Sequence, residues 1–452
     1  MNIKDDFILS QIDEGYLVGG AVRDFLMRKI SFDRDIAIKG AEGFSKKIAE
    51  KFGGTLIILD NENLIFRVVL PDKVNYLDIS EIQGETIEED LKRRDFTVNA
   101  IAYDLKNNVF IDVTGGIEDI KNKKINYIRE ENFEEDSLRV LRAYRFIATT
   151  GFEVDEKFIA TIKKYIPQAL RPAKERIHYE IMKLFGGDYA SMALLMANDI
   201  GFLGMLFPFV EELKKVPSNS HHHLDLFHHS VETVRQIEIL YKNSSEEVKK
   251  HLESADFGGF ARLNHIKIAA FMHDIGKFST WTIEEGGRHR FIKHDDVGSK
   301  LCVQYLKELK FSKKQIEYIS DMVKNHIYPS SVCQSPELSE KIFMRYIRKM
   351  GANVIDNIIL AKADRLSARG VEVTEQIVNE NLNNLEKLQT FYLEKRETLK
   401  PLPKLLDGVE IMKLKNIQQS PKLGEIIRAL HEAQLNGDVN TIDEAKEFVI
   451  NF

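Results

Sequence analysis

The chain has 452 residues, too many for one compact core and of a size that suits about two to four domains. Its 64 Lys and Arg against 70 Asp and Glu leave a formal charge of -6, which excludes a histone-like polycation and confines any nucleic-acid site to a local patch. Hydrophobic residues at 43% and charged residues at 30% exclude wholesale disorder. Two cysteines alone, Cys302 and Cys333, provide neither a disulfide framework nor a paired thiolate cluster, so a reducing compartment is expected. The start MNIKDDFILSQIDEG lacks a basic segment followed by an apolar run, and LLMANDIGFLGMLFPFV is broken by Asn198 and Asp199. A cytoplasmic chain without a membrane span is expected.

In chain order, residues 1 to about 130 mix β-like runs (YLVGG, FDRDIAI, TLIILD, IFRVVL, VNYLDIS, VFIDV) with helix-like stretches. From about 131 the β signal fades. Leu138, Leu141 and Phe146, then Ile177, Ile181 and Leu184, recur at helical spacing, and the remainder is expected to be almost all helix. Pro401 and Pro403 punctuate LKPLPKLLDG and predict a boundary before a last segment in which Leu423, Ile426, Ile427 and Leu430 repeat along a helix. Thr441 to Glu444 matches a helix-capping box.

Three clusters in the first part carry chemistry. In LVGGAVRDFLMRKISFDRDIAI, Gly19 and Gly20 end a strand, and Asp33 and Asp35 lie two apart on a second β-like run, so alternation puts both carboxylates on one face. Converging hard oxygens suit Mg²⁺, and Asp78 in VNYLDIS offers a third carboxylate from a neighbouring strand. The glycines let backbone N–H groups approach phosphates, and Arg23 adds charge. In LKRRDFTVNAIAYD, Arg94 suits phosphate while Asp95 and Asn99 suit ribose hydroxyls, on one face if the stretch is helical. In EEDSLRVLRAYRF, Asp136, Arg139, Arg142 and Arg145 recur every three residues and are expected to share a helix face. A carboxylate beside a guanidinium matches the amino donor and ring-nitrogen acceptor of cytosine or adenine, and mismatches uracil and guanine.

Together these clusters resemble the class II tRNA nucleotidyltransferases, a family that includes bacterial poly(A) polymerases. LVGGAVRD with FDRDIAI is similar to the family's metal motif, RRDFTVNA to its ribose motif, DVTGGIEDIKNKKINYI to its hinge motif, EEDSLR to its base-reading motif and RPAKERIHYEIMKLF to its neck-helix motif. The resemblance implies CTP and ATP as substrates, a tRNA 3′ end as acceptor, and Mg²⁺ held by Asp33 and Asp35. It also implies Arg94, Asp95 and Asn99 at the ribose and phosphates, and Asp136 with Arg139 as a protein template for the base. In many CCA-adding members a long loop precedes the RRDFTVNA motif; here only SEIQGETIEEDLK separates Asp78 from Arg93, as in members that add CC alone. CC-only addition, A-only addition and poly(A) synthesis therefore stand beside CCA addition.

The helical middle holds HHHLDLFHHSVETV, FMHDIGK, RFIKHDDVGSKL, VKNHIYP and AKADRLSARG. His229, His273, Asp274, His294, His326 and Asp364 offer imidazole and carboxylate ligands from several helices, enough for one or two divalent ions that activate water against a phosphoester. The pattern resembles the HD phosphohydrolases, which implies phosphatase or 2′,3′-cyclic phosphodiesterase activity. A different class of reading makes this site the main engine and the N-terminal part a nucleotide sensor. His221 to His223 are candidates for supporting roles around the ligands. The last segment is similar to the tail of HD-containing nucleotidyltransferases, with Asn416 and Gln419 to Ser420 where glycines are common there. Its Lys413, Lys415, Lys422 and Arg428 are candidates for tRNA phosphate contacts.

The expected fold class is α+β: a nucleotidyltransferase head with a small mixed sheet over 1–130, a helical neck over 131–205, a helical HD body over 206–400 and a helical tail over 401–452.

Overall fold

The computed structural model describes residues 3–29, 32–219, 223–334, 338–370, 372–397 and 403–452. His221, His222 and the expected boundary residue Pro401 lie outside them. The chain divides into two compact units, Met1–Leu206 and Phe207–Phe452.

The first unit is built on one seven-stranded mixed sheet. Its strands are β1 (Tyr16–Val18), β2 (Asp35–Ile38), β3 (Thr55–Asp60), β4 (Ile65–Val69), β5 (Tyr76–Glu81), β6 (Ile101–Asp104) and β7 (Val109–Asp112). They run in the order β3-β4-β5-β2-β1-β6-β7, with β2 and β5 parallel and the other neighbours antiparallel. Alternation along the inner strands buries Leu17, Ile36, Phe66, Val68, Leu77 and Ile79. The parallel pairing sets Asp35 opposite Asp78 and the antiparallel one sets Arg67 opposite Asp78, so one row of charged side chains crosses three strands.

The β-like runs all become strands, but the sequence reading missed β6. Its four residues IAYD are all buried, so no polar alternation marks them. The stretch before it is not an α-helix: Phe96 is extended, and only Thr97–Asn99 form a 3₁₀ turn. Asp136 likewise precedes the helix Arg139–Thr150 in extended backbone, so it does not share a helix face with the three arginines. Within that helix Val140, Leu141, Ala143, Tyr144, Phe146 and Ile147 are buried, and Ile177, Ile181 and Leu184 are buried in the helix Lys174–Gly186.

The second unit is a helical assembly around Leu226–Asn243, Arg262–Met272, His294–Glu308, Lys313–Asn325 and Val354–Ser367. The helix Arg262–Met272 is buried along its whole length. One interruption was unforeseen: β8 (Trp281–Ile283) and β9 (His289–Phe291) form a hairpin around Gly286 and Gly287, both at positive φ. Toward the C-terminus, Leu406, Ile411, Leu423, Ile426 and Leu430 form a small core with Val439 and Val449, while Ile427 is exposed. The capping box of Thr441 and Glu444 starts the final helix.

A buried polar network ties four helices of this unit, Glu246–Glu253, Arg262–Met272, Lys313–Asn325 and Val354–Ser367. Asp356 accepts from Tyr318 Oη at 2.6 Å, lies 2.7 Å from His251 Nε2 and accepts from Arg262 Nη1 at 3.0 Å. Burial opposes the charge of Asp356, yet His251, Arg262 and Tyr318 hold its pKa below the ordinary 3.8. The stabilisation is therefore complete above about pH 4 and fades as the pH falls through the lowered value. Asp356→Ala leaves Arg262 buried without this partner and is expected to cost about 3–5 kcal/mol at pH 7. Thermal melts at pH 7 and pH 3 check this, the variant's deficit being larger at the first than at the second.

Candidate functional site

Carboxylates crowd at the ends of β2 and β5. Asp33 stands just before β2, Asp35 opens it, and Asp78 is the partner of Asp35 on β5. Burial, then the charges of Asp78 and Asp33, push the Asp35 carboxyl up to about 7, against the pull of Arg94 and Arg67. Such crowding is unfavourable without a cation, so the donor set fits a hard divalent ion. Asp78 is held from the side by Arg67, which donates from Nε at 2.7 Å and from Nη2 at 2.8 Å. The Arg67 guanidinium also lies 4.1 Å from the centre of the Tyr76 ring, and Tyr76 Oη donates to Asp33 at 3.4 Å. Arg67 and Tyr76 were not foreseen; the alternation of IFRVVL, with Phe66 and Val68 inward, was the available signal.

Gly19 sits against this group. It holds φ 72°, and a side chain there would begin 3.5 Å from Asp35 Oδ2 and 3.6 Å from Arg94 Nη1. The residue thus leaves open the space between a carboxylate and a guanidinium where a phosphate would pass. Gly20 starts the helix Gly20–Leu26, which carries Arg23. Arg23 donates to Asn99 Oδ1 at 2.7 Å and to Asp24, and Arg94 is paired with Asp90 at 3.0 Å.

The third cluster divides in two. Arg142 donates to the buried Asp95 at 2.7 Å and lies 3.3 Å from Glu180, while Arg145 is 3.0 Å from Glu180 and stacks 3.9 Å from the centre of the Phe146 ring. These two arginines and Asp95 are occupied inside the unit and tie the ribose-motif turn to the helix Lys174–Gly186. Arg139 donates from Nη2 to the Arg93 carbonyl at 3.1 Å, and its Nη1 is buried without a hydrogen-bond partner. Asp136 pairs with Arg176 at 2.6 Å, a partner the sequence reading missed, and not with Arg139. Arg139 thus keeps a buried donor without a partner, whereas both Asp136 oxygens are engaged, Oδ1 accepting from the Leu138 N–H at 3.2 Å and Oδ2 from Arg176.

In the second unit, four imidazoles converge. Nδ1 of His273 faces the carbonyl of Ala270 at 2.7 Å, that of His294 faces Phe291 at 2.8 Å, and that of His326 faces Val323 at 2.7 Å. Each carbonyl fixes the proton on Nδ1 in the neutral ring, so the Nε2 lone pairs point inward. There His229 Nε2 meets His273 Nε2 at 3.2 Å, and His294 Nε2 meets His326 Nε2 at 3.3 Å.

Asp274 lies between the pairs: Oδ2 is 3.5 Å from His229 and 3.2 Å from His273, and Oδ1 is 3.4 Å from His294 and 3.5 Å from His326. Asp364 Oδ1 joins the first pair, 3.2 Å from His229. Neither Asp274 oxygen has a hydrogen bond of regular geometry, although Lys277 Nζ stands 2.6 Å from Oδ2. Inward lone pairs around a buried carboxylate fit divalent ions, with Asp274 common to two groups of possible ligands, His229–His273–Asp274 and Asp274–His294–His326. Burial holds His294 down to about 4, while His273, although more deeply buried, is carried up to about 10 by Asp274 and Asp364.

Three stretches of the chain match known families. Residues 15–126 match the poly A polymerase head domain, 151–214 the probable RNA- and SrmB-binding site of polymerase A, and 226–369 the HD domain. The chain is 31% identical to a CC-adding tRNA nucleotidyltransferase of Thermus thermophilus, over 98% of this chain and 95% of that one. It belongs to the tRNA nucleotidyltransferase family. An A-adding tRNA nucleotidyltransferase of Deinococcus radiodurans is 30% identical over 96% and 94% of the two chains. The CCA-adding enzyme of Bacillus stearothermophilus, solved with CTP, shares the fold of this nucleotidyltransferase at a TM-score of 0.58 and 20% identity, over 98% and 95% of the chains. Enzymes of this family and HD domains generally use divalent metals. Among the described residues no helix is long and apolar enough to cross a membrane.

Gly276 controls the HD geometry. A methyl group on it would lie 2.0 Å from the His294 carbonyl oxygen and 2.6 Å from the Gly298 nitrogen, both backbone atoms. Gly276→Ala must therefore push the start of the His294–Glu308 helix away from Asp274. A lower metal-to-protein ratio after dialysis against manganese, with a lower melting temperature, is the expected result; an unchanged ratio contradicts it.

Proposed function

We propose that this nucleotidyltransferase adds CMP and AMP from CTP and ATP to the 3′ end of tRNA. The observation that carries the reading is the Asp33, Asp35 and Asp78 group beside Gly19 and Arg94. Asp33 and Asp35 would hold Mg²⁺, which when bound neutralises the triphosphate and lowers the pKa of an attacking hydroxyl. Around it, Gly19 and Gly20 present backbone N–H groups to the phosphates, Arg94 and Arg23 add positive charge, and Asn99 is within reach of Arg23 to orient the ribose side of the site. The tRNA 3′ hydroxyl oxygen bonds to the α-phosphorus as the bond to the β-phosphate oxygen breaks, and pyrophosphate leaves. Arg139 and Asp136 select amino-bearing bases, Arg139 through its open Nη1. Arg142, Arg145 and Asp95 support the site by holding the turn and helix in place.

The C-terminal segment would bind tRNA, where Lys413, Lys422 and Arg428 are exposed and Lys415 donates to the Ile450 carbonyl. The HD residues would act as a phosphohydrolase centre on phosphoesters of nucleotides or RNA ends, a second activity of the same chain. The free cysteines are both buried, in keeping with a cytoplasmic setting.

A second reading, CC addition alone, is favoured by the short connection from β5, which ends at Glu81, to the helix Ile87–Lys92. Incubation of tRNA lacking its 3′ terminus with single labelled nucleotides distinguishes the two. Incorporation of CMP followed by AMP supports CCA addition, CMP without AMP supports the second reading, and no CMP incorporation overturns both. Asp33→Ala is expected to abolish incorporation while His273→Ala preserves it. The reverse pattern would make the HD centre the main engine.

A further inference from the structure

Beside the His/Asp cluster stands a hairpin that nucleotidyl transfer does not use. β8 and β9 pair with Trp281 opposite Phe291 and Ile283 opposite His289. Residues directly opposite on two strands project from the same face, so these four share one. Arg290, opposite Thr282, is on the other face and is committed to Glu284 at 2.8 Å.

The Phe291 end of the aromatic face reaches the cluster twice. Its carbonyl fixes the ring of His294 at 2.8 Å, and its own ring lies 5.3 Å from Nζ of Lys277, which stands 2.6 Å from Asp274. Trp281, at the same end as Phe291, is half-buried and lies diagonally against the half-buried His289 with ring centres 5.4 Å apart, while the far end is open at Ile283, which is 59% exposed. Two ring nitrogens in this wall, Trp281 Nε1 and His289 Nδ1, are shielded from solvent without a hydrogen-bond partner. Shielded polar groups in folded proteins are otherwise nearly always satisfied, so a pair of them in one wall points to a ligand that supplies the missing contacts. An aromatic wall that ends on a phosphate-binding metal cluster matches a nucleoside phosphate, with the phosphate at the ions and the base against the rings.

We propose that Trp281, His289 and Phe291 form a nucleobase platform for the HD cluster, so that this site takes phosphate carried on a nucleoside in preference to phosphate alone. The inference rests on reading the six His and Asp residues as a metal centre. Trp281 is the single tryptophan of the chain, so fluorescence excited at its absorption edge reports from this hairpin alone.

The test titrates the full-length, manganese-loaded protein with adenosine 3′-monophosphate and, separately, with glycerol phosphate, following tryptophan emission and heat of binding. The expected results are saturable quenching by the nucleotide, none by glycerol phosphate, and about tenfold weaker nucleotide binding in Trp281→Ala with glycerol phosphate binding unchanged. Trp281→Phe retains the nucleotide affinity. Equal affinity for the two phosphates in the wild type, binding of neither, or a Trp281→Ala variant that binds the nucleotide as tightly as the wild type overturns the proposal. A His273→Ala chain that takes up as much manganese as the wild type instead overturns the metal-centre reading beneath it.

Discussion

The parallel pairing of β2 with β5 forces Asp35 and Asp78 to lie side by side, with Asp33 close by. Nothing in the sheet relieves this crowding completely. Arg67 neutralises Asp78 from one flank and Arg94 lies behind Gly19 on the other, yet Asp35 is still pushed up to about 7. A hard cation would relieve this crowding. Gly19 keeps the approach open, and the Asp95, Arg142 and Glu180 ties hold the ribose-motif turn against the helix behind it. In the second unit imidazoles take the place of the crowded carboxylates around Asp274, and backbone carbonyls aim three of the four rings, those of His273, His294 and His326.

Much of the fold and of both sites was legible in the sequence, because period-two alternation and helix spacing are local properties. FDRDIAI and VNYLDIS announce half-buried strands that carry carboxylates, and FMHDIGK announces a buried helix ending on the candidate ligands His273 and Asp274. What was not legible depends on contacts between distant segments. The buried IAYD of β6 has no polar alternation to mark it, and the Trp281 hairpin is too short to interrupt a helical pattern. The regular spacing of Asp136, Arg139, Arg142 and Arg145 suggested one functional face. The helix starts only at Arg139, and the buried Glu180, thirty-odd residues on in the chain, recruits two of the arginines into structure. Pairing of Asp136 with Arg176 is equally invisible to local spacing.

Arg67 illustrates the boundary between fold and function. As a strand residue it continues the alternation of β4, and as a guanidinium it fixes the rotamer of Asp78 and packs on Tyr76, whose hydroxyl reaches Asp33. Two residues, Arg67 from β4 and Tyr76 from β5, thereby contact two of the three carboxylates. A bidentate fork of this kind positions a carboxylate more tightly than a lysine could, because the two parallel hydrogen bonds fix both its place and its plane.

The Asp35 carboxyl is held in an energetically unfavourable place that a divalent cation would relieve. Titration of the full chain by carbon NMR, with aspartate carboxyls labelled and Asp35 assigned through an Asp35→Asn variant, is the decisive measurement. The expected carboxyl titrates near 7 without magnesium and markedly lower with it. Titration near the ordinary 3.8 in both conditions would rule out this view of the site.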